Sequence, residues 1–228
     1  MAEGKLYIIA TPIGNLEDIT FRAVNILKNE VDIIYCEDTR QSKKLLNHYN
    51  INISIRSLHA HSPDSRIEEA CAGMIKGNTL AYMTDSGTPG ISDPGNRLVK
   101  SAREKGITVI PLPGPSAVSA ILSISGFSEK KVIFAGFLSK KEGKIKKELQ
   151  YLADFQGIII LFESPYRIKK LIAVLNEIFP DNDILIAREM TKIYEEYYSG
   201  KISELFENID DITEKGEFTL AIINRPEK

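Results

Sequence analysis

Short apolar runs alternate with segments of helical periodicity through the first half of this chain, and that alternation leaves few folds open. Lys5–Ala10, Val31–Cys36, Ile53–Leu58, Thr79–Thr84 and Thr108–Pro111 read as strands. Between them, Thr20–Asn29 carries Phe21, Val24 and Leu27 at helical spacing, and Ser42–Tyr49 reads as a short helix capped by Ser42. Ser65–Lys76 and Asn96–Lys105 read as helices closed by Gly77 and Gly106. Strand–helix–strand order calls for right-handed crossovers, which predicts an α/β fold with a mostly parallel sheet and helices on both faces. In such a sheet ligands bind at the carboxyl ends of the strands.

Leu112-Pro113-Gly114-Pro115 breaks the composition and suits a stiff crossing between domains, which predicts one domain over 1–113 and another over 114–228. In the second half, Ser116–Ser123, Ile145–Ala153 and Pro165–Phe179 read as helices, the last with proline in its first turn. Val132–Ala135, Gly157–Phe162, Ile184–Ala187, Glu195–Ser199 and Glu217–Asn224 read as strands. Their close succession at the end predicts a mixed sheet.

Three turns follow strands and concentrate glycine, proline and hydroxyl residues: Ala10–Thr20, Thr84–Gly95 and Pro111–Ala117. The second spends twelve residues, three of them glycine and two proline, on a connection that needs far fewer. Glycine lets backbone approach a ligand closely, and proline lowers the entropy lost in holding the loop. None of the turns carries a phosphate-loop or dinucleotide fingerprint, which argues against nucleotide hydrolysis and ordinary dinucleotide binding. What remains is a preorganised, mostly uncharged pocket for a flat or zwitterionic cofactor.

Lysine and arginine number 29 against 31 acidic residues, so the chain is not basic overall and any nucleic-acid contact must be local. The densest basic run is Lys140–Lys147, with Lys169 and Lys170 further on. No apolar run is long enough to span a membrane, and the amino terminus enters a strand-like run without a signal-peptide pattern. With only two cysteines, Cys36 and Cys71, the expected compartment is the cytoplasm. His59 and His61 lack a third nearby ligand, so no metal is expected.

Five blocks occur in order: Leu6–Leu16, Cys36-Glu37-Asp38-Thr39-Arg40, Asp85–Gly95, Pro113–Ala117 and Phe162-Glu163-Ser164-Pro165-Tyr166-Arg167. Together they resemble the tetrapyrrole-methylase-like S-adenosylmethionine methyltransferases, and among them those that methylate the 2'-hydroxyl of a cytidine in ribosomal RNA. The resemblance covers essentially the whole chain. It implies S-adenosylmethionine in a cleft between two α/β domains, a homodimer, and 16S ribosomal RNA within the small ribosomal subunit as partner. By motif it assigns the cofactor to Thr11, Pro12, Asp85, Gly87, Thr88, Pro89, Ile91, Ser116 and Ala117, with Phe162 and Met190 walling the adenine. The chain departs from the family pattern at Ser86, at Tyr166, and at His59-Ala60-His61-Ser62-Pro63.

A ribose hydroxyl is a weak nucleophile and profits from a nearby base. Glu37-Asp38-Thr39-Arg40 follows the second strand. One of Glu37 and Asp38 is expected to orient or deprotonate the hydroxyl, with Arg40 either on an RNA phosphate or bracing one of these carboxylates. Glu163, Arg167, Arg188, Glu189 and Lys192 are further candidates. Lys144, Lys146, Lys147, Lys169 and Lys170 are expected to contact RNA phosphates. The competing readings are a tetrapyrrole or protein methyltransferase of the same fold and a non-catalytic cofactor- or RNA-binding module.

Overall fold

The computed structural model describes residues 4–91 and 95–225. The chain divides into two compact units, Met1–Ser116 and Ala117–Lys228. Among the described residues, no helix is long and apolar enough to cross a membrane.

In the first unit, β1 (Lys5–Ile9), β2 (Ile33–Cys36), β3 (Ser54–Ser57), β4 (Leu80–Met83) and β5 (Thr108–Leu112) form one sheet in the order β3-β2-β4-β1-β5. Every pairing is parallel, so all five carboxyl ends share one edge. The connecting helices are α1 (Phe21–Asn29), α2 (Thr39–His48), α3 (Asp64–Ile75) and α4 (Gly95–Glu104). Ala23, Ile26 and Leu27 of α1 join Leu45 and Leu46 of α2 over one face, against Tyr7, Ile9, Ile34 and Met83. Ile67, Ala70 and Met74 of α3 join Leu98 and Ala102 of α4 over the other, against Leu6, Tyr35, Leu80 and Tyr82. Both sheet faces are therefore covered, which is why β2 and β4 at its centre read as continuous apolar runs.

The helix starts correct one sequence expectation. Asp38, not Ser42, caps α2: its carboxylate accepts from the Arg40 amide at 2.8 Å. The helix begins almost at the end of β2, and Ser42 lies buried inside it. Thr20 caps α1 as a hydroxyl residue should, accepting from the Ala23 amide. Gly77 and Gly106 sit just beyond α3 and α4 at φ +102° and +74°, the left-handed conformation in which glycine stops a helix.

In the second unit, β6 (Val132–Phe137), β7 (Gly157–Glu163), β8 (Asp183–Arg188), β9 (Glu196–Lys201) and β10 (Phe218–Asn224) form a mixed sheet in the order β6-β7-β10-β8-β9. Only β6 and β7 pair in parallel. Helices α6 (Glu142–Ala153), α7 (Ile168–Ile178) and α8 (Ile202–Glu207) cover one face through Leu149, Leu171, Leu175 and Ile202, and α5 (Ala117–Ser125) packs on β10 and β8. Pro165 is not in the first turn of a helix as its sequence suggests. It occupies a tight turn closed by the Arg167 amide donating to the Ser164 carbonyl, and α7 starts after it.

Candidate active site

The strand order dictates where the first unit can bind a ligand. The chain leaves β1 toward β2, passing β4, and leaves β4 toward β5, passing β1. These opposite crossovers put α1 and α4 on opposite faces. The carboxyl ends of the adjacent strands β1 and β4 therefore flank a crevice, the topological switch point at which open α/β sheets bind ligands.

Two of the glycine- and proline-rich turns meet at that point. The Thr11 amide donates to the Gly87 carbonyl at 2.9 Å, and the Gly87 amide returns a bond to the Thr11 carbonyl at 3.0 Å. The Thr11 hydroxyl donates to the Thr84 carbonyl at 3.2 Å, so the buried Thr11 is fixed from both ends. Thr84, also buried, donates its own hydroxyl to the Gly87 carbonyl at 3.2 Å. Thr84 was not among the sequence candidates, and its position directly before Asp85 was the only signal for it. Gly87 holds φ +82° and Gly90 φ +93°, which a side chain would strain. The third turn joins the same assembly, because the Thr88 hydroxyl donates to the Pro115 carbonyl at 3.0 Å. Pro12 is buried beside Thr11, Pro89 and Ile91 are half-buried, and Ser116 closes the unit. Within the long second turn, Ser92, Asp93 and Pro94 lie outside the described residues.

The polar turn after β2 is tied to this platform. The Asp38 amide donates to Oδ1 of Asp85 at 3.0 Å. Arg40 folds back onto Asp38, with Nε 3.1 Å from both carboxylate oxygens and Nη2 2.6 Å from Oδ2. The Arg40 side chain bonds, together with the backbone amide it caps, hold the Asp38 carboxyl down at about 2. Asp85 moves the other way: partial burial raises its carboxyl, while the bond from the Asp38 amide opposes the shift. Glu37 is half-buried between Cys36 and Asp38, and its carbonyl accepts from the Ser57 hydroxyl. The sequence candidates Glu37, Asp38, Arg40 and Asp85 thus share one edge with Thr11, Gly87 and Thr88. Arg97 of α4 was missed. It braces the turn after β3 by donating to the carbonyls of Ala60 and Ser62 and to Asp64.

The family model for tetrapyrrole (corrin/porphyrin) methylases matches residues 5–205. This chain belongs to that family. Proteins named ribosomal RNA small subunit methyltransferase I resemble it over almost the whole of this chain. The one from Leptospira biflexa is 39% identical over 98% of this chain and 92% of its own. Those from Thermotoga maritima and Bacillus subtilis are 41% and 42% identical over 96% of this chain, covering 98% and 75% of theirs. Among solved structures, a cobalt precorrin-4 methyltransferase of cobalamin biosynthesis superposes with a TM-score of 0.68 at 17% identity, covering 95% of this chain and 94% of that one. The uroporphyrin-III-C-methyltransferase of Thermus thermophilus gives 0.61 at 14%, over 96% and 91%. At those identities the structures establish the methylase fold alone.

Of the family-derived assignments in the second unit, Phe162 is half-buried near the end of β7, its ring edge-on to Phe134 and Phe137 with centroids 4.9 and 5.7 Å away. Met190 is buried just after β8, between Glu189 and Thr191, which both hold positive φ. Ala117 opens α5. Glu163 is buried and paired with Arg167 at 2.7 Å, while Arg167 also donates to the carbonyls of Leu138 and Ser139. Arg188 pairs with Glu196, and Lys192 with Glu189 and Glu217. Among the lysines expected to face RNA, Lys146 is paired with Glu177 and Glu142, Lys170 with Glu142, and Lys169 with Asp210 and Glu214. Lys144 and Lys147 are exposed on α6.

Proposed function

We propose that this chain transfers a methyl group from S-adenosylmethionine to the 2'-hydroxyl of a cytidine in 16S ribosomal RNA, acting on the small ribosomal subunit in the cytoplasm as a homodimer. The observation that carries this reading is identity of 39–44% along nearly the whole chain with relatives named ribosomal RNA small subunit methyltransferase I. Likeness to the corrin and porphyrin enzymes is limited to the fold, so those substrates are not favoured.

The switch point fits such a cofactor. Its turns present backbone groups and hydroxyls, Gly87 and Gly90 hold positive φ, and the Asp85 carboxylate lies there to complement a cationic ligand. Thr11, Pro12, Asp85, Gly87, Thr88, Pro89, Ile91 and Ser116 would hold it. Bound there, the cofactor supplies an electrophilic methyl group on a sulfonium, and the protein's task is alignment and proton removal.

Asp38 is committed to its helix cap and to Arg40, so it positions the edge and stays ionised. Proton acceptance from the ribose hydroxyl is assigned to Glu37, half-buried in the same turn. Arg40 braces Asp38 in this reading. Lys144 and Lys147 contribute outer phosphate contacts, whereas Lys146, Lys169 and Lys170 serve mainly within their own ion pairs. Radiolabelled methyl transfer offered to small ribosomal subunits, a tetrapyrrole and ribosomal protein tests the function. Label in 16S RNA that resists alkali as a 2'-O-methyl nucleotide is the expected result, and label in the tetrapyrrole or protein alone overturns it. In single turnover, Glu37→Gln is expected to lose about 10²–10⁴-fold in rate. A rate near wild type removes Glu37 from that role. Light scattering at one chain's mass would end the dimer.

A further inference from the structure

Helix α2 starts from the turn that carries Glu37 and Asp38, and its composition is one-sided. Over Thr39–His48 it has no acidic residue, in a chain whose acidic residues outnumber its lysines and arginines. Its buried side is Ser42, Leu45 and Leu46. At 100° per residue, Arg40, Lys43, Lys44 and Asn47 fall on the i, i+3, i+4, i+7 stripe directly opposite. All four are exposed, and the Arg40 side chain is 87% accessible. Arg40 spends its charge on Asp38. Among the described residues, Lys43 and Lys44 make no ion pair, unlike Lys146, Lys169 and Lys170 on α6 and α7.

Position gives the stripe its meaning. The Asp38–Asp85 bond fixes the first turn of α2 at the edge where the switch-point turns meet, and Lys43 and Lys44 follow within about one further helical turn, roughly 5 Å along the axis. A polyanion reaching that edge finds two exposed lysines beside it, neither held in an ion pair among the described residues.

We propose that the outer face of α2, through Lys43 and Lys44, binds the phosphates of the RNA strand next to the acceptor nucleotide. This rests on the reading of the chain as an RNA methyltransferase and adds the surface that aligns its substrate. The ion pair with Asp38 leaves Arg40 a positioning residue, so the phosphate contact passes one turn along the helix.

The test is K43Q/K44Q in the full-length protein. Both side chains are exposed and outside the packed face, so its melting temperature and its calorimetric affinity for S-adenosylmethionine should match wild type. Binding to small ribosomal subunits is measured against salt. The log–log slope is expected to shrink by about 1.4, from about 0.7 per phosphate contact on single-stranded RNA, and KM for the subunit to rise while kcat holds. The comparator K146Q/K170Q is expected to leave the slope unchanged, because those charges are already balanced by Glu142 and Glu177. A slope and KM equal to wild type in K43Q/K44Q overturn the inference even if wild type methylates the subunit. If wild type binds the RNA with the expected lysine dependence yet transfers no methyl, the surface stands and the activity falls. If wild type does not bind the RNA, both fall.

Discussion

The backbone amide of Asp38 donates to the carboxylate of Asp85, 47 positions later in the chain, at 3.0 Å. That bond joins the ends of two neighbouring parallel strands, β2 and β4, so the acidic turn and the glycine-rich turn move as one body. Replacing Asp85 by Ala removes the acceptor and leaves the Asp38 amide to solvent. A hydrogen bond to a charged group contributes about 1.5–3 kcal/mol. Asp85→Ala should therefore weaken S-adenosylmethionine binding roughly 10- to 100-fold, while Asp85→Asn, which keeps an acceptor oxygen, should recover much of it. Calorimetric titration of the two variants decides this, and equal affinity for Ala and wild type would separate the bond from cofactor binding.

Asp38 gives a pH prediction with a definite sign. Its carboxyl is held at about 2 in the folded protein, chiefly by the Arg40 side chain. The unfolded value is about 3.9. A depressed folded value means that its contribution to stability is complete above the unfolded value and is lost as pH falls through the folded one. The difference in melting temperature between wild type and Asp38→Asn should be constant from pH 7 to about 5 and narrow toward pH 3. Over the same range, methyl transfer should show no inflection belonging to Asp38. A gap that widens on acidification would contradict the Arg40 pairing.

Gly87 ties conformation to function. It holds φ +82° between its two bonds to Thr11, and an added Cβ would sit 3.5 Å from Cγ2 of Ile13, an ordinary contact. Space is available, so the cost of Gly87→Ala is backbone strain, about 1–2 kcal/mol. Chemical denaturation should show that loss at unchanged m, with cofactor affinity falling as the Thr11–Gly87 bridge relaxes. An unstrained variant of wild-type stability would show that the left-handed conformation is not required.

Much of this architecture was legible because each signal was local. The strand of Gly157–Glu163 announces itself as an unbroken apolar run, since both its faces are covered. The turn after β4 was conspicuous because its glycines and prolines exceed what a connection requires. Other features depend on contacts distant in sequence. The order β3-β2-β4-β1-β5, and with it the switch point, follows from pairings that no single segment encodes. Ser42 and Asp38 are both good capping residues, and only the abrupt passage from β2 into α2 selects Asp38. The basic run on α6 hides part of its pairing from the sequence: Glu142 lies inside it, but Glu177 lies on α7 and reaches Lys146 only after the helices pack. Arg40 was equally ambiguous until its guanidinium was found on Asp38.

The pair of Glu163 and Arg167 should matter to stability more than to chemistry. The Glu163 side chain is 1% exposed and Arg167 20%, and they meet at 2.7 Å. Glu163 also accepts from the Ser164 amide, while Arg167 reaches across to the carbonyls that follow β6. The pair thus rivets the ends of β6 and β7 and forms the turn holding Pro165. Removing one member of a buried pair costs about 3–5 kcal/mol because the other is stranded. Partial exposure of Arg167 lets water relieve some of that, so Glu163→Ala is expected near the lower end, about 3 kcal/mol. Glu163→Gln keeps acceptors for Ser164 and Arg167 and should lose clearly less. Urea denaturation measures both. If the variants stay folded but lose methyl transfer alike, with unfolding midpoints at the wild-type value, Glu163 belongs to the reaction and the structural assignment is wrong.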